Sequence, residues 1–284
     1  KLMTAILALD NCRGDECVYI RPEYCNVEGS SMYLAPGERR TVKELVTGLL
    51  LVSGNDAALA LAGHIAGDSA RFAALMNAKA EALGMADTHF VNPHGLNAPG
   101  HYSTARDMAR LMEYCMDNAA FAELDGMTSC TVDGKLLVNH NRLLGTCPGC
   151  IGGKTGFTEA AGRCLVSCCV RDGARLVCVT LSAPDDWNDH IALYTWAYSR
   201  CAMRSVTGGL SFCVPVISGE RRWAYLVPEK ELALFLPTDA EIVLRAELPW
   251  FEFAKGRVTA SVNGAQLAEY DLVYKESVGP AARD

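Results

Sequence analysis

The chain has 284 residues, half of them hydrophobic, with a net charge of −7 and a pI near 5.4. That length suits one large domain or two ordinary ones with a sizeable core, and the acidic balance argues against a nucleic-acid partner, which needs a basic face. No run of about 18 or more apolar residues is present, so no transmembrane helix is expected within these residues.

The opening stretch, KLMTAILALD, reads as the body of a helix with Leu2, Ile6 and Leu9 on one face. TVKELVTGLLLV begins with a capping box, Thr41 to Glu44, and its apolar content marks a mostly buried helix. Ser53-Gly54-Asn55 separates it from a second helical run, DAALALAGHIAG, and is expected at a tip with its side chains pointing away from either core face. SARFAALMNAKAEALG runs from a Ser69 cap to a Gly84 stop. TARDMARLMEYCM is a further helix capped near Ser103 or Thr104, and CTVDGKLLV is a hairpin turning at Asp133-Gly134.

From Lys154 the pattern is extended. RCLVSCCV and RLVCVTLS, joined by RDGA, are almost continuously apolar, which predicts strands buried on both faces and covered by helices. DWNDHIALYTWAYSRCAM closes this region as a helix. After about Arg204 the register changes to short, regularly spaced strands: RRWAYLV, ELALFL, EIVLRAEL, and a final hairpin, RVTASV to AQLAEYDLVY, turning at Asn263-Gly264. The expected organisation is a mixed α/β (α+β) domain over residues 1–204 and a small all-β domain over 205–284.

Thirteen cysteines are scattered rather than framed, and several lie inside apolar runs where Cys acts as a small hydrophobe. Cys147-Pro148-Gly149-Cys150 is one CxxC pair. It reads either as loop thiols, as half a zinc site, or as a redox motif; no second CxxC and no His-x3-His accompanies it.

Two short motifs carry candidate chemistry. Ser53-Gly54-Asn55 offers a hydroxyl and an amide at a helix junction; Asn55 or Asp56 could equally be an ordinary helix cap. Lys154-Thr155-Gly156 offers a cation and a hydroxyl for a carboxylate, with Gly156 permitting close approach of a ligand backbone; the same Lys could be a gatekeeper on a surface strand edge. Lys1 completes a set. A Ser-x-x-Lys lysine, a Ser-x-Asn and a Lys-Thr-Gly occur together, in this order, in penicillin-interacting enzymes.

The blocks KLMTAILALD, GSSMYLAPGERRTVKELVTGLLLVSGNDAALALA, FVNPHGLNAPGHYSTARDMARL, NHNRLL and GGKTGFTEAAGRCLV together closely resemble the D-alanyl-D-alanine carboxypeptidases, which are low-molecular-mass penicillin-binding proteins. The resemblance implies a transpeptidase fold of the penicillin-binding-protein and β-lactamase kind, an antiparallel sheet covered by helices, followed by a β-rich domain. It implies that Lys1 is the lysine of Ser-x-x-Lys, with the nucleophilic serine expected three residues upstream, outside the 284 residues. Lys1 would be the base, Ser53 would relay a proton to the leaving amine, and Asn55 would hold Lys1 and the substrate amide. Lys154 and Thr155 would bind the terminal carboxylate of a peptidoglycan stem peptide ending in D-Ala-D-Ala, beside Gly156. The backbone N–H of Phe157 would share the oxyanion hole with the serine's own. No metal or cofactor is expected. β-Lactam antibiotics would be covalent inhibitors of the complete enzyme. The cell envelope, outside the cytoplasm, is the expected location, and membrane association would rest on a segment not among these residues. His94, in NPHGL, reads as a cleft residue or as a loop histidine held by backbone, and stays outside the catalytic set.

Three rivals share parts of this pattern. A class A β-lactamase needs a carboxylate for its deacylating water, which the sequence does not place, and lacks a β-rich second domain. A D,D-endopeptidase of the same family differs only in cutting cross-links rather than chain ends. A non-catalytic peptidoglycan-binding homologue would lack the serine upstream of Lys1.

Overall fold

The computed structural model describes residues 1–216, 222–249 and 256–275. The elements begin with helix α1 (Leu2–Asn11), the short strands β1 (Cys17–Tyr19) and β2 (Arg39–Thr41), and the helices α2 (Val42–Leu51), α3 (Asn55–Ala66) and α4 (Ser69–Ala82). Helices α5 (Ala105–Asp117) and α6 (Ala119–Asp125), strands β3 (Ser129–Val132) and β4 (Lys135–Val138), and the single turn α7 (Leu143–Thr146) follow. Strands β5 (Cys150–Thr158), β6 (Gly162–Arg171) and β7 (Ala174–Thr180) then form one sheet in that order, and α8 (Asp186–Arg200) comes after it.

Contacts divide the chain into two compact units. One comprises Lys1–Arg171 with Arg175–Trp196; the other comprises Asp172–Ala174 and the residues from Ala197 onward. The division falls between Trp196 and Ala197, inside α8, where the sequence suggested Arg204. Cys201, Ala202 and Met203, read above as the tail of this helix, instead open strand β8 (Cys201–Ser205).

The first unit is organised around α1. Leu2 through Ala8 are all buried, so this helix is not amphipathic but enclosed by α2, α3, α4, α5 and α6. α2 opens with the expected capping box: Thr41 Oγ1 accepts from Glu44 N–H at 3.2 Å and Glu44 Oε2 accepts from Thr41 N–H at 2.8 Å. α4 is capped one residue earlier than expected, by Asp68, whose carboxylate accepts from Arg71 N–H at 2.8 Å. A carboxylate outcompetes the adjacent Ser69 hydroxyl because it also meets the positive end of the helix dipole. Thr104 caps α5. The β3–β4 hairpin turns at Asp133-Gly134, both left-handed, as a primed turn requires.

Strand β5 pairs antiparallel with β6, Lys154 opposite Val166 and Thr155 opposite Leu165. Central β6 is buried from Leu165 to Cys169, as its apolar run predicts, but β7 is mostly half-buried. It lies at the edge of this three-stranded sheet, and only Val177 and Val179 pack against the main core.

In the second unit, β8 pairs with β11 (Ala233–Pro237). β9 (Phe212–Pro215), β10 (Trp223–Pro228), β12 (Ile242–Glu247), β13 (Gly256–Val262) and β14 (Ala265–Tyr274) form a five-stranded sheet in the order β12-β13-β14-β10-β9. The β13–β14 hairpin turns at Asn263-Gly264, both left-handed. β13 supplies two small cores, Val258 to one and Ala260 with Val262 to the other.

Candidate active site

Lys1 stands at the head of α1, its carbonyl accepting the first helical bond from Ala5 N–H at 2.9 Å. Burial is the main influence on its side chain and the charge of Lys154 the second; together they bring the ammonium down to about 7 against an upward pull from Asp56. A lysine in that range holds a substantial neutral fraction at neutral pH, which is what a base needs.

The junction between α2 and α3 differs from a capped helix start. Gly54 is the cap residue, with no side-chain bond, and Asn55 and Asp56 lie inside α3. Both are 1% exposed and Ser53 is 9% exposed, so the tripeptide is enclosed rather than presented at a tip. The reason is Asp56. Its carboxylate accepts from Ser31 Oγ (2.6 Å), Met32 N–H (3.0 Å), Leu34 N–H (3.0 Å) and Ala57 N–H (2.9 Å), which draws the 30–34 loop over the junction. Asn55 donates from Nδ2 to Glu28 O at 2.6 Å, while its buried Oδ1 has no hydrogen-bond partner among the described residues. An unspent buried acceptor costs free energy unless a donor arrives. Ser53 has φ +61°, a left-handed conformation that costs a non-glycine residue about 1 kcal/mol or more.

On the other side, Lys154 is 7% exposed, which rules out the gatekeeper reading. Its Nζ donates to Thr155 O at 3.0 Å, and burial brings it down to about 8, against the opposing charge of Asp125. β5 leaves the core as it proceeds: Thr155 is half-buried, Gly156 exposed and Phe157 70% exposed. Thus Lys154 anchors the strand and the next three residues form an accessible edge. Lys1 and Lys154 lie within electrostatic reach of each other, with Asp56 beside Lys1; no hydrogen bond links Lys1 to Ser53 or Asn55 among the described residues.

Asp125, the last residue of α6, was not signalled by the sequence. It is fully buried; Oδ2 accepts from Gly153 N–H at 2.6 Å, and Oδ1 has no partner among the described residues. Burial is the dominant influence and raises it to about 6, against the Gly153 bond and the Lys154 charge. This carboxylate explains the glycine pair before Lys154. A Cβ on Gly152 would stand 2.5 Å from Asp125 Oδ2, and Gly153 has φ +151° with a Cβ position 2.5 Å from Val166 O.

Two histidines border the lysines. His94 accepts from Leu96 N–H at 3.2 Å through Nδ1, and burial, then the Lys1 charge, push it down to about 4. It is both a loop residue held by backbone and a neighbour of Lys1. His140, in the NHNRLL block, is pushed down by burial and by Lys154 and Lys1. A Ser–His pair occurs elsewhere: Ser167 Oγ lies 2.7 Å from His190 Nδ1 and 2.9 Å from Tyr194 OH. Both Ser167 and His190 are fully buried and His190 Nε2 contacts Thr180 Oγ1 at 3.0 Å, so this cluster is packing. Both CxxC thiols turn toward one cysteine of the next strand: Cys147 Sγ lies 3.8 Å from Cys169 Sγ, and Cys150, opposite Cys169 in the β5–β6 ladder, meets the same thiol.

Comparison with known proteins decides the lineage. The family model for D-alanyl-D-alanine carboxypeptidases, peptidase family S11, matches residues 1–185. The chain belongs to the D-alanyl-D-alanine carboxypeptidase family. It is 36% identical over 218 residues to a D-alanyl-D-alanine carboxypeptidase of Mycobacterium tuberculosis, covering 72% of this chain and 75% of that protein. It is 37% identical to one of Bacillus subtilis over 70% of this chain but 55% of that protein, so the chain spans little more than half of some relatives. Among solved structures, penicillin-binding protein 5 of Haemophilus influenzae aligns with TM-score 0.79 at 26% identity, covering 98% of this chain and 88% of that one. Penicillin-binding protein 6B of Escherichia coli aligns with TM-score 0.77 at 28% identity, covering 95% and 84%. The fold is therefore that of the penicillin-binding carboxypeptidases, a helix-covered antiparallel sheet with an all-β C-terminal region, and the family is one of peptidases acting on D-Ala-D-Ala.

Proposed function

We propose that the chain is part of a serine-type D-Ala-D-Ala carboxypeptidase that removes the terminal D-Ala from peptidoglycan stem peptides through an acyl-enzyme. The observation that carries this reading is the pairing of half-buried Lys1 with buried Lys154, one brought down to about 7 and the other to about 8. They suit different tasks: a base that is neutral near pH 7 and a cation that remains charged there.

In this mechanism the nucleophile is a serine three residues before Lys1. The Lys1 amine takes the serine proton as Oγ attacks the carbonyl carbon of the penultimate D-Ala. The tetrahedral oxyanion is held by the backbone N–H groups of the serine and of Phe157; one such donor contributes about 3 kcal/mol to the transition state. The C–N bond breaks, Ser53 relays a proton to the leaving amine, and free D-Ala departs. Water then hydrolyses the ester. Asn55 Oδ1, a buried acceptor with no partner among the described residues, suits a donor from Lys1 or from the substrate amide. Lys154 and Thr155 bind the free carboxylate, which makes the reaction an exopeptidase one, and the exposed edge from Gly156 to Phe157 leaves room for the peptide. β-Lactams would acylate the same serine. A peptidoglycan substrate implies a working enzyme outside the cytoplasm.

The test is cleavage of the D-Ala-D-Ala bond by the full-length protein in a pentapeptide with a free C-terminus, read as D-Ala release, beside the same peptide amidated, read as D-alaninamide release. Cleavage of the free acid and not of the amide supports the reading. Equal cleavage of both would favour an endopeptidase, and no turnover of either would favour a binding role.

A further inference from the structure

One cluster outside this site has a chemistry the peptidase reaction does not use. Among the described residues, Cys12 Sγ, a carboxylate oxygen of Glu16 and a ring nitrogen of His64 all lie within 4.8 Å of one another. They converge from three places: Cys12 caps the C-terminal end of α1, Glu16 immediately precedes β1, and His64 lies in the last turn of α3. His64 Nε2 is 3.0 Å from Glu16 Oε1, and Arg13 N–H donates to Glu16 Oε2 at 3.3 Å. The carboxylate is thereby fixed with one oxygen toward the imidazole. All three residues are half-buried, and an open cavity of about 630 Å³ lined by Asp10, Asn11, Cys12, Arg13 and Glu16 reaches the cluster from solvent.

A hydrogen-bonded His–Glu pair accounts for the 3.0 Å contact but not for the thiol brought to the same point. Cys12 Sγ has no hydrogen-bond partner among the described residues although it lies within 4.8 Å of the Glu16 carboxylate and the His64 ring. A thiol facing a carboxylate gains little; a cation between them would gain from both. Two helices, α1 and α3, also end here, so the negative ends of two helix dipoles face the cluster and favour positive charge. Sulfur, imidazole nitrogen and carboxylate oxygen are the donor set of zinc. Tetrahedral bonds of about 2.0–2.3 Å place donors about 3.3–3.7 Å apart, so side-chain rotations that draw the cluster in by about 1 Å complete the geometry.

We propose that Cys12, Glu16 and His64 bind a divalent cation of the zinc type, with a water on the cavity side as fourth ligand. Binding releases the Cys12 proton to solvent and replaces the His64–Glu16 hydrogen bond with two bonds to the metal. The ion sits at the far ends of α1 and α3, the helices whose near ends carry Lys1 and Asn55. It is a clamp on the scaffold of the catalytic groups and takes no part in the reaction.

The test is alkylation mapping on the intact metal-free protein, with Zn(II) titrated in and each cysteine followed by peptide mass. One equivalent should slow modification of Cys12 by about tenfold or more while leaving exposed Cys17 unchanged. Co(II) should give a thiolate-to-metal absorption that Cys12→Ser abolishes and His64→Gln weakens. Unchanged Cys12 reactivity with Zn(II) would overturn the proposal. So would a Co(II) band that survives Cys12→Ser, since it would arise from other thiols.

Discussion

Asp125→Asn separates the electrostatics of the buried carboxylate from its hydrogen bond. Asparagine keeps an oxygen for Gly153 N–H, which now bonds Oδ2 at 2.6 Å; it removes the charge and puts an amide NH2 in place of the unpartnered Oδ1. Asp125 titrates at about 6 in the folded chain against 3.8 for the ordinary side chain. Because the folded value is the higher, the native state binds the extra proton between those values. The stabilisation is complete below about pH 4 and is lost as pH rises through about 6. A gap of that size corresponds to about 3 kcal/mol by pH 7 to 8, an upper figure because Lys154 titrates alongside it. Urea unfolding of wild type and Asp125→Asn should therefore show similar stability near pH 4. The variant should gain on wild type by about 1–3 kcal/mol as pH rises to about 7.5. The same change removes the charge that holds Lys154 up, so its ammonium should fall below 8 and capture of a substrate carboxylate should weaken. A stability difference that does not change over this pH range would refute the reasoning.

Three further outcomes follow from the same groups. In the full-length enzyme, kcat/KM should be bell-shaped, with an acid limb near 7 as Lys1 loses its proton and an alkaline limb near 8 as Lys154 loses its own; a profile flat from about pH 6 to 9 would contradict both assignments. Lys154→Ala should lower kcat/KM on a peptide with a free C-terminus by about tenfold to a few hundredfold, as loss of a charged hydrogen bond worth about 1.5–3 kcal/mol requires; unchanged kinetics would count against carboxylate binding. Ser53→Gly should be as stable as wild type or up to about 1 kcal/mol more stable, because it relieves a left-handed serine at φ +61°. Its D-Ala release should fall by about 100-fold or more, as expected for loss of a proton relay; a stable variant with full activity would remove Ser53 from the mechanism.

Much of this was legible because it is local. Periodicity and caps mark α2 and α5, and Asp133-Gly134 and Asn263-Gly264 mark their hairpins, since primed turns need those residues. Ser53, Asn55 and Lys154 are proposed as site residues from short motifs, and Lys1 from the block around it; the structure brings Lys1 and Lys154 within electrostatic reach of each other. What escaped depends on contacts distant in the chain. Asp125 acts through Gly153, twenty-eight positions away, and Asp56 looked like a helix cap until the 30–34 loop was seen to spend its carboxylate. The half-buried state of β7 follows from its place at the sheet edge, which its apolar sequence does not reveal. Cys12, Glu16 and His64 share no spacing rule, because α1, the β1 entry and α3 meet only in the fold.

The central assignment is Lys1 as the base of an acylating serine. The most direct measurement is peptide mapping of the full-length protein after reaction with a labelled penicillin. The label is predicted on a serine three residues before Lys1, with Lys1→Ala abolishing labelling and the isolated 284 residues remaining unlabelled. A different residue at that position, or label attached anywhere within residues 1–284, would contradict it.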